Sequence, residues 1–470
     1  MSEADSAVLD ELFGVGGGPT PEERALKSRR TFVRGLDLLT FDVSPKAKGR
    51  RLTAIEALDA YGLNKLCEVV HEGSAIISDE PQAVGRTLRD RREQLGLSIR
   101  TVSAKSGLAP DVVAALEDSK RRPVREYERV ARILGLDERL LSFQPDPRGN
   151  ERVAVRLRIL SERRAALSPS AVATLAEASW VAMTQIRLEK RLDLHRPKHT
   201  FEVVSDYGSH RRPAYAVGYE LANRVRSELS LHSLPIPSMR ELVEVELGIP
   251  VIQAPLGDRI AGATVQSTGR RAIVLNIGGK NADACVRRST IAHELGHLLF
   301  DPSQYLQDLR VDEYSELDER DDTRFEPVEQ RANAFAVQLL APQTEAVARY
   351  HQANNDLLGV LDHFGVSFTA GRYQVWNGLK RAVQLESIYT PNQPPQVDWD
   401  ARETYTLAYH PIRSLVEHPT RAGRFSAIVL RAADVGIVSW DTAAEWLFCT
   451  ENEARRAEPA VRAFYSDVFA

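Results

Sequence analysis

His293, Glu294 and His297 are the residues whose types and spacing could carry chemistry. They sit in the run RRSTIAHELGHLLF, residues 287–300. Its apolar residues Ile291, Leu295, Leu298, Leu299 and Phe300 predict a largely buried helix. Positions four apart share one face of a helix. Both imidazoles therefore aim at one point, with Glu294 beside them. Two imidazoles so spaced suit a tetrahedral zinc, and a third protein ligand would leave one position for water. Glu294 would then act as general base in peptide hydrolysis. The alternative is a chance HExxH on a solvated helix. The apolar flanks argue against it, because buried polar side chains without partners are costly.

Such a site needs a third donor from a following helix. In EPVEQRANAFAVQLLAP, residues 326–342, Val328, Ala332, Phe335, Ala336, Leu339 and Leu340 fall at helical spacing. Glu329 is the preferred third ligand. Asn333, four residues later on the same side, is placed to hydrogen-bond a ligating histidine. Glu326 competes, but it precedes Pro327 and so belongs to the helix entrance. The donor that would stabilise an oxyanion is not singled out by any pattern. Tyr305, Tyr314 and His351 are the candidates.

HELGHLLF followed by E-x-x-A-N-x-F-A-x-x-L-L-x-P resembles the ImmA/IrrE family of bacterial zinc metallopeptidases. The stretch from Gly218 to Gly278 is similar too, and the resemblance spans residues 215–345. Ala341 stands where the family more often has Met, an apolar packing difference. The resemblance implies a zincin-like core in which a helix and a short sheet lead into the HExxH helix. It implies Zn2+ held by His293, His297 and Glu329, with Glu294 as base. Relatives cleave transcriptional repressors, which implies a protein substrate such as a helix-turn-helix repressor.

The elements that must position these residues are partly legible. Ala263–Gln266 and Ala272–Ile277, with Ser267–Arg270 between them, predict a hairpin. An extended substrate could add to an exposed strand edge. Strand Ala272–Asn276 is the candidate edge, and an ordinary structural hairpin is the equal alternative. Residues 301–329, between the two halves of the site, hold eleven acidic and three basic residues. That segment is placed to affect access to the metal, or it is simply a solvated loop.

A second module lies upstream, where residues 84–143 predict five short helices. In LGLSIRTVSAKSGLAPDVVAALEDSKRRP, residues 95–123, Ser98 suits an N-cap, and Ile99 to Lys105 a helix. Ser106-Gly107-Leu108 suits a tight turn, and a second helix runs to Glu117. Two short helices across a glycine turn are the helix-turn-helix pattern, and the segment resembles an Xre/Cro-type domain. Its outward positions Pro110, Asp111, Ala114 and Ala115 lack the Arg, Asn or Gln that reads base edges. Basic residues surround it, with Arg100, Lys120, Arg121 and Arg122 the candidates for DNA phosphate contact. Recognition of a protein is the competing use.

A chain of 470 residues has room for several domains, and its net charge of −4 does not announce a nucleic-acid binder. Cys67, Cys285 and Cys449 are too far apart for a disulfide framework or a cysteine zinc site, as in a reducing cytoplasm. No stretch reaches membrane-spanning length, and the first residues lack a signal pattern. The expected fold class is α+β: a mostly helical, multidomain chain with a small sheet in the peptidase core. The expected divisions are a partly helical extension (1–80), the helix-turn-helix (81–145), a helical connector (146–213), the peptidase core (214–345), its helical extension (346–390) and a C-terminal helical domain (391–470). Within them, Gly14 to Gly18 suggests a flexible linker. The stretch 191–213, with His195, His199 and His210, suggests a surface loop.

The expected function is a cytoplasmic zinc metalloprotease with a regulatory role, acting on few protein targets, with DNA as a further partner and no membrane contact. One alternative is a DNA-binding regulator with a non-catalytic zincin fold. Another is the protease of a toxin–antitoxin or phage-defence system.

Overall fold

The chain folds into two units, one from Met1–His195 with Leu407–Ala470, the other from Arg196–Thr406. The computed structural model describes residues 3–41, 49–77, 81–141, 167–194, 201, 212–267, 270–301, 309–313, 327–389, 396–403 and 410–469.

The first unit begins with helices α1 (Glu3–Phe13) and α2 (Pro21–Lys27). Strands β1 (Thr31–Arg34), β2 (Leu38–Phe41), β3 (Arg50–Thr53) and β4 (Ser74–Ile76) then form an antiparallel sheet in the order β3-β1-β2-β4. Helix α3 (Ala54–Glu72) covers it. Phe32, Leu39, Leu52 and Ala75 of the sheet share one core with Leu9, Leu12, Ile55, Leu66 and Val69 of the helices. The sequence suggested only a partly helical extension here. Strands of four residues or fewer are too short for alternation to register. The glycine run is not a free linker either: the Gly18 carbonyl accepts from Arg24 Nε at 2.8 Å.

Next come α4 (Pro81–Gln94), α5 (Ile99–Ser106), α6 (Pro110–Glu117) and α7 (Val124–Ile133), then a 3-10 turn at Glu138–Leu140. These are the five short helical elements expected, the last of them a single 3-10 turn. Ser98 caps α5 by accepting from Thr101 N, and Gly107 closes it in the left-handed region. Helix α8 (Pro169–Arg191) starts at the Ser168 cap. The sequence suggested a helical connector here, and the helix is present, but Ala171–Ala182 is buried without a break. An apolar surface on all sides marks a core helix. Trp180 on α8 packs edge-on against Phe425 and Trp446 of the C-terminal helices Arg424–Asp434 and Trp440–Trp446.

The second unit is built on helix α9 (Ala214–Glu228) and the sheet of β5 (Val251–Ala254), β6 (Ile260–Ser267), β7 (Arg270–Asn276) and β8 (Leu309–Glu313). Helix α10 (Ala284–Phe300) carries the two histidines. Helices α11 (Pro327–Leu340), α12 (Gln343–Gln352), α13 (Leu358–Phe364) and α14 (Phe368–Gly378) follow. The sheet order is β5-β7-β6-β8, with β5 and β7 parallel and the other pairs antiparallel. The expected hairpin is β6–β7, but Ala272–Asn276 is not an edge. It bonds to β5 on one side and β6 on the other. The hairpin is a local signal, whereas β5 reaches β7 only by passing over β6 and β8 comes from beyond the histidine helix. The edges are β5 and β8.

Asp283 caps α10, its Oδ1 accepting from Cys285 N at 2.8 Å and Val286 N at 3.2 Å. Ile291, Leu295 and Leu298 of α10 share a core with Phe335, Leu339 and Leu340 of α11. Gly296 permits this approach, since a Cβ there would lie 2.9 Å from Phe335 Cδ1. Arg288, fully buried, pairs with Glu403 and donates to the Ile236 carbonyl at 2.7 Å. Helix α10 is thus fixed at its start by charge and along its length by packing. Among the described residues no helix is long and apolar enough to cross a membrane.

Candidate metal centre and nucleic-acid interface

One turn of α10 brings His293 Nε2 and His297 Nε2 to 3.0 Å from each other. Glu329, in the first turn of α11, places Oε2 3.3 Å from the first nitrogen and 3.7 Å from the second. The other ring nitrogens are anchored. His293 Nδ1 lies 2.8 Å from Asn333 Oδ1, and His297 Nδ1 2.7 Å from Asp301 Oδ2. Arg331 pairs with the same Asp301 carboxylate. An ionised carboxylate only accepts, so His297 Nδ1 carries the proton and Nε2 presents its lone pair. The same holds for His293 facing the amide oxygen of Asn333.

Two lone pairs and a carboxylate oxygen therefore converge in a buried space. That arrangement is repulsive unless a cation lies among them. Ligands bonded to zinc at about 2.0–2.1 Å in a tetrahedron lie ~3.3 Å apart. The distances of 3.0, 3.3 and 3.7 Å bracket that value, so the donor set fits zinc. Glu294 is fully buried. It faces Gly262 of β6, where a Cβ would lie 2.7 Å from Glu294 Oε1.

Two carboxylates here were not singled out from the sequence. Asp301 follows His297 by four residues, so helical spacing could have revealed it. Asp312 comes from β8 and groups with His293 and His297 as a third potential ligand. No local pattern points to it. Glu326, Tyr305 and Tyr314 lie outside the described residues, as do His195, His199 and His210. His351 is exposed on α12 with its Nδ1 2.8 Å from Asn355 Oδ1, which removes it as an oxyanion donor to a buried site. Burial pushes the Cys285 thiol up to about 11, aided by Asp283, so that residue is no thiolate donor.

In the helix-turn-helix, Pro110 and Asp111 are exposed and Ala114 and Ala115 half-buried. Much of the basic surround is engaged internally. Arg92 pairs with Glu117 at 2.6 Å, and Arg125 with Asp441 at 2.7 Å. Lys105 donates to Thr174 Oγ1 at 2.6 Å. Of the candidate phosphate contacts, Lys120 lies 3.7 Å from Asp118, and Arg122 is 2.7 Å from Glu126. Arg100 and Arg121 are exposed, and neither forms an ion pair among the described residues.

Residues 245–375 match the family model of the IrrE N-terminal-like domain, the M78 peptidases, and residues 83–143 match a helix-turn-helix domain. The chain thus carries an IrrE N-terminal-like peptidase domain and a helix-turn-helix domain. No curated protein matches it. The ImmA/IrrE-type match takes in β5 to β8, both histidines and Glu329, and ends within α14. The expected α+β, mostly helical architecture with both domains is the one observed. A regulatory protein of a metallopeptidase family is the function this pairing supports.

Proposed function

We propose that this protein is a zinc-dependent metalloendopeptidase that regulates by cutting a specific protein target, a helix-turn-helix repressor. The convergence of His293 Nε2, His297 Nε2 and Glu329 Oε2, with both Nδ1 atoms anchored, carries the reading. Zinc, when bound, supplies a Lewis acid that polarises the scissile carbonyl and acidifies water. Glu294 takes a proton from the attacking water, and the amine of the broken C–N bond leaves protonated. Asn333 and Asp301 hold the rings in the tautomer that presents Nε2. The separated free cysteines favour a reducing cytoplasm. The target is identified by mass spectrometry of proteins cut in cells by wild type and left whole by Glu294→Gln.

The purified protein is expected to carry about one zinc per chain, in keeping with a single three-ligand site. His297→Ala is expected to lose it. Elemental analysis of both decides this, and equal zinc in the two would sink the ligand assignment.

DNA contact is a second activity, favoured by the exposed Arg100 and Arg121, which form no ion pair among the described residues. Base reading is not expected from Asp111, Ala114 and Ala115. The full chain should bind duplexes weakly, in the range of about 10⁻⁴–10⁻⁶ M at physiological salt, with little sequence preference. Arg121→Ala should weaken all duplexes alike. Tight binding to one duplex that survives high salt would contradict this, and would show that α6 reads bases.

A further inference from the structure

The residues of the metal centre are buried. His293, Glu294 and His297 are at most 1% exposed, and Glu329 is 6% exposed. A scissile peptide cannot reach them without displacement of something. Among the described residues, strand β8 lies beside the histidines. It runs antiparallel to β6 as the edge of the sheet, pairing Gly262 with Asp312 and Ala263 with Val311. Residues paired across strands project to the same face of a sheet. The face of β6 at Gly262 is the one towards Glu294. Asp312 therefore projects towards the metal centre, and it is 1% exposed. Its Oδ2 lies 4.0 Å from His293 Nε2, and its carboxylate groups with both histidines. A slip of one residue in the β6–β8 register would send Asp312 to the opposite face.

We propose that β8 is a tethered inhibitory strand, and that Asp312 is the fourth protein donor that closes the metal centre. The inference rests on the metallopeptidase reading above. Catalytic zinc sites keep one position open for water or substrate, whereas sites with four protein donors are closed. With Asp312 in that position the protease is latent. The lane that β8 fills on β6 is also the lane where an extended peptide would add to the sheet. The substrate is accordingly an extended segment that replaces Leu309–Glu313 along β6, and its arrival removes Asp312. Activation must favour the state with β8 displaced, and its strength is limited by that difference in affinity.

The test uses full-length protein loaded with zinc or cobalt(II), and acetohydroxamate as a probe that needs an open metal position. Asp312→Asn keeps the shape of the side chain and Asp312→Ala removes it. Both variants are expected to bind acetohydroxamate at least about tenfold more tightly than wild type, since occlusion lowers affinity in proportion to the population of the competent state. Both should release zinc to a chelator about 10–100-fold more readily, as expected when support to a metal site is cut. The visible absorption of the cobalt protein should change on adding the probe to the variants and hardly change in wild type. Casein cleavage should rise in both variants. Equal hydroxamate affinity in wild type and Asp312→Asn overturns the proposal, and leaves the ligand set His293, His297 and Glu329 intact. A wild type without zinc, or a His297→Ala variant that holds as much, overturns the metallopeptidase reading and this inference with it.

Discussion

Replacing Glu294 by glutamine should leave zinc in place and lower peptide hydrolysis by roughly 10²–10⁴-fold, the range typical of a lost general base. Glutamine has nearly the same shape, and the space beside Gly262 accommodates it. It cannot take a proton from water. The variant should therefore keep the metal content of wild type, since His293, His297 and Glu329 are untouched. Paired measurements of zinc content and repressor cleavage separate the two roles. Undiminished cleavage would show that another group is the base. Lost zinc would show that Glu294 belongs to the metal's support and not to proton transfer.

The site was legible to the extent that its residues are local in sequence. His293, Glu294 and His297 share a helix, and Glu329 and Asn333 share the next. Helical spacing is enough to place such residues on one face. Asp312 could not be found this way. Its proximity to the histidines depends on which strand pairs with β6 and in what register. Register is a tertiary fact. The same limit explains why Ala272–Asn276 read as an edge. The hairpin was visible, but not that β5 would pair in parallel with β7 or that β8 would add beside β6.

Upstream, caps and turns carried the information. Ser98, Gly107 and Pro110 marked the helix-turn-helix correctly because capping acts through neighbouring residues. The basic residues around it were less legible. Charge in a sequence does not reveal its partner, and Arg92 and Arg125 are spent on Glu117 and Asp441. The small sheet of the first unit was invisible, since its strands are short and two of its three pairings join more distant segments. Helix α8 read as a connector because its buried glutamates, Glu177 and Glu189, look like solvated charges until Arg421 and Arg424 are found beside them.

Glu138→Ala should destabilise the first unit by about 3–5 kcal/mol, the usual effect of removing one partner of a buried charge network. Glu138 is 1% exposed and accepts from Trp180 Nε1 at 2.8 Å and Trp446 Nε1 at 2.7 Å. Arg50 lies 3.8 Å from its carboxylate and Arg132 4.0 Å. Burial is the largest influence on this carboxyl and raises it. Arg132, Arg50 and Arg187 together outweigh burial and the neighbouring Asp137, and hold the group below its ordinary 4.5. Truncation leaves two indole donors without their acceptor, and the fully buried Arg132 with less compensation. Because the folded value is depressed, the stabilisation is present above the unfolded value of 4.5 and is lost as pH falls through the lower folded value. The gap between wild type and variant should accordingly be full at neutral pH and shrink below pH 4.5. Urea denaturation followed by tryptophan fluorescence reads this directly, because Trp180 and Trp446 lie at the carboxylate. Glu138→Gln, which keeps an acceptor for the indoles and removes the charge, should fall between the two. A loss below about 1 kcal/mol, the size expected of a surface pair, would mean that the arginines find other partners. Glu138 would then not be what ties the sheet, the helix-turn-helix and the C-terminal helices of this unit together.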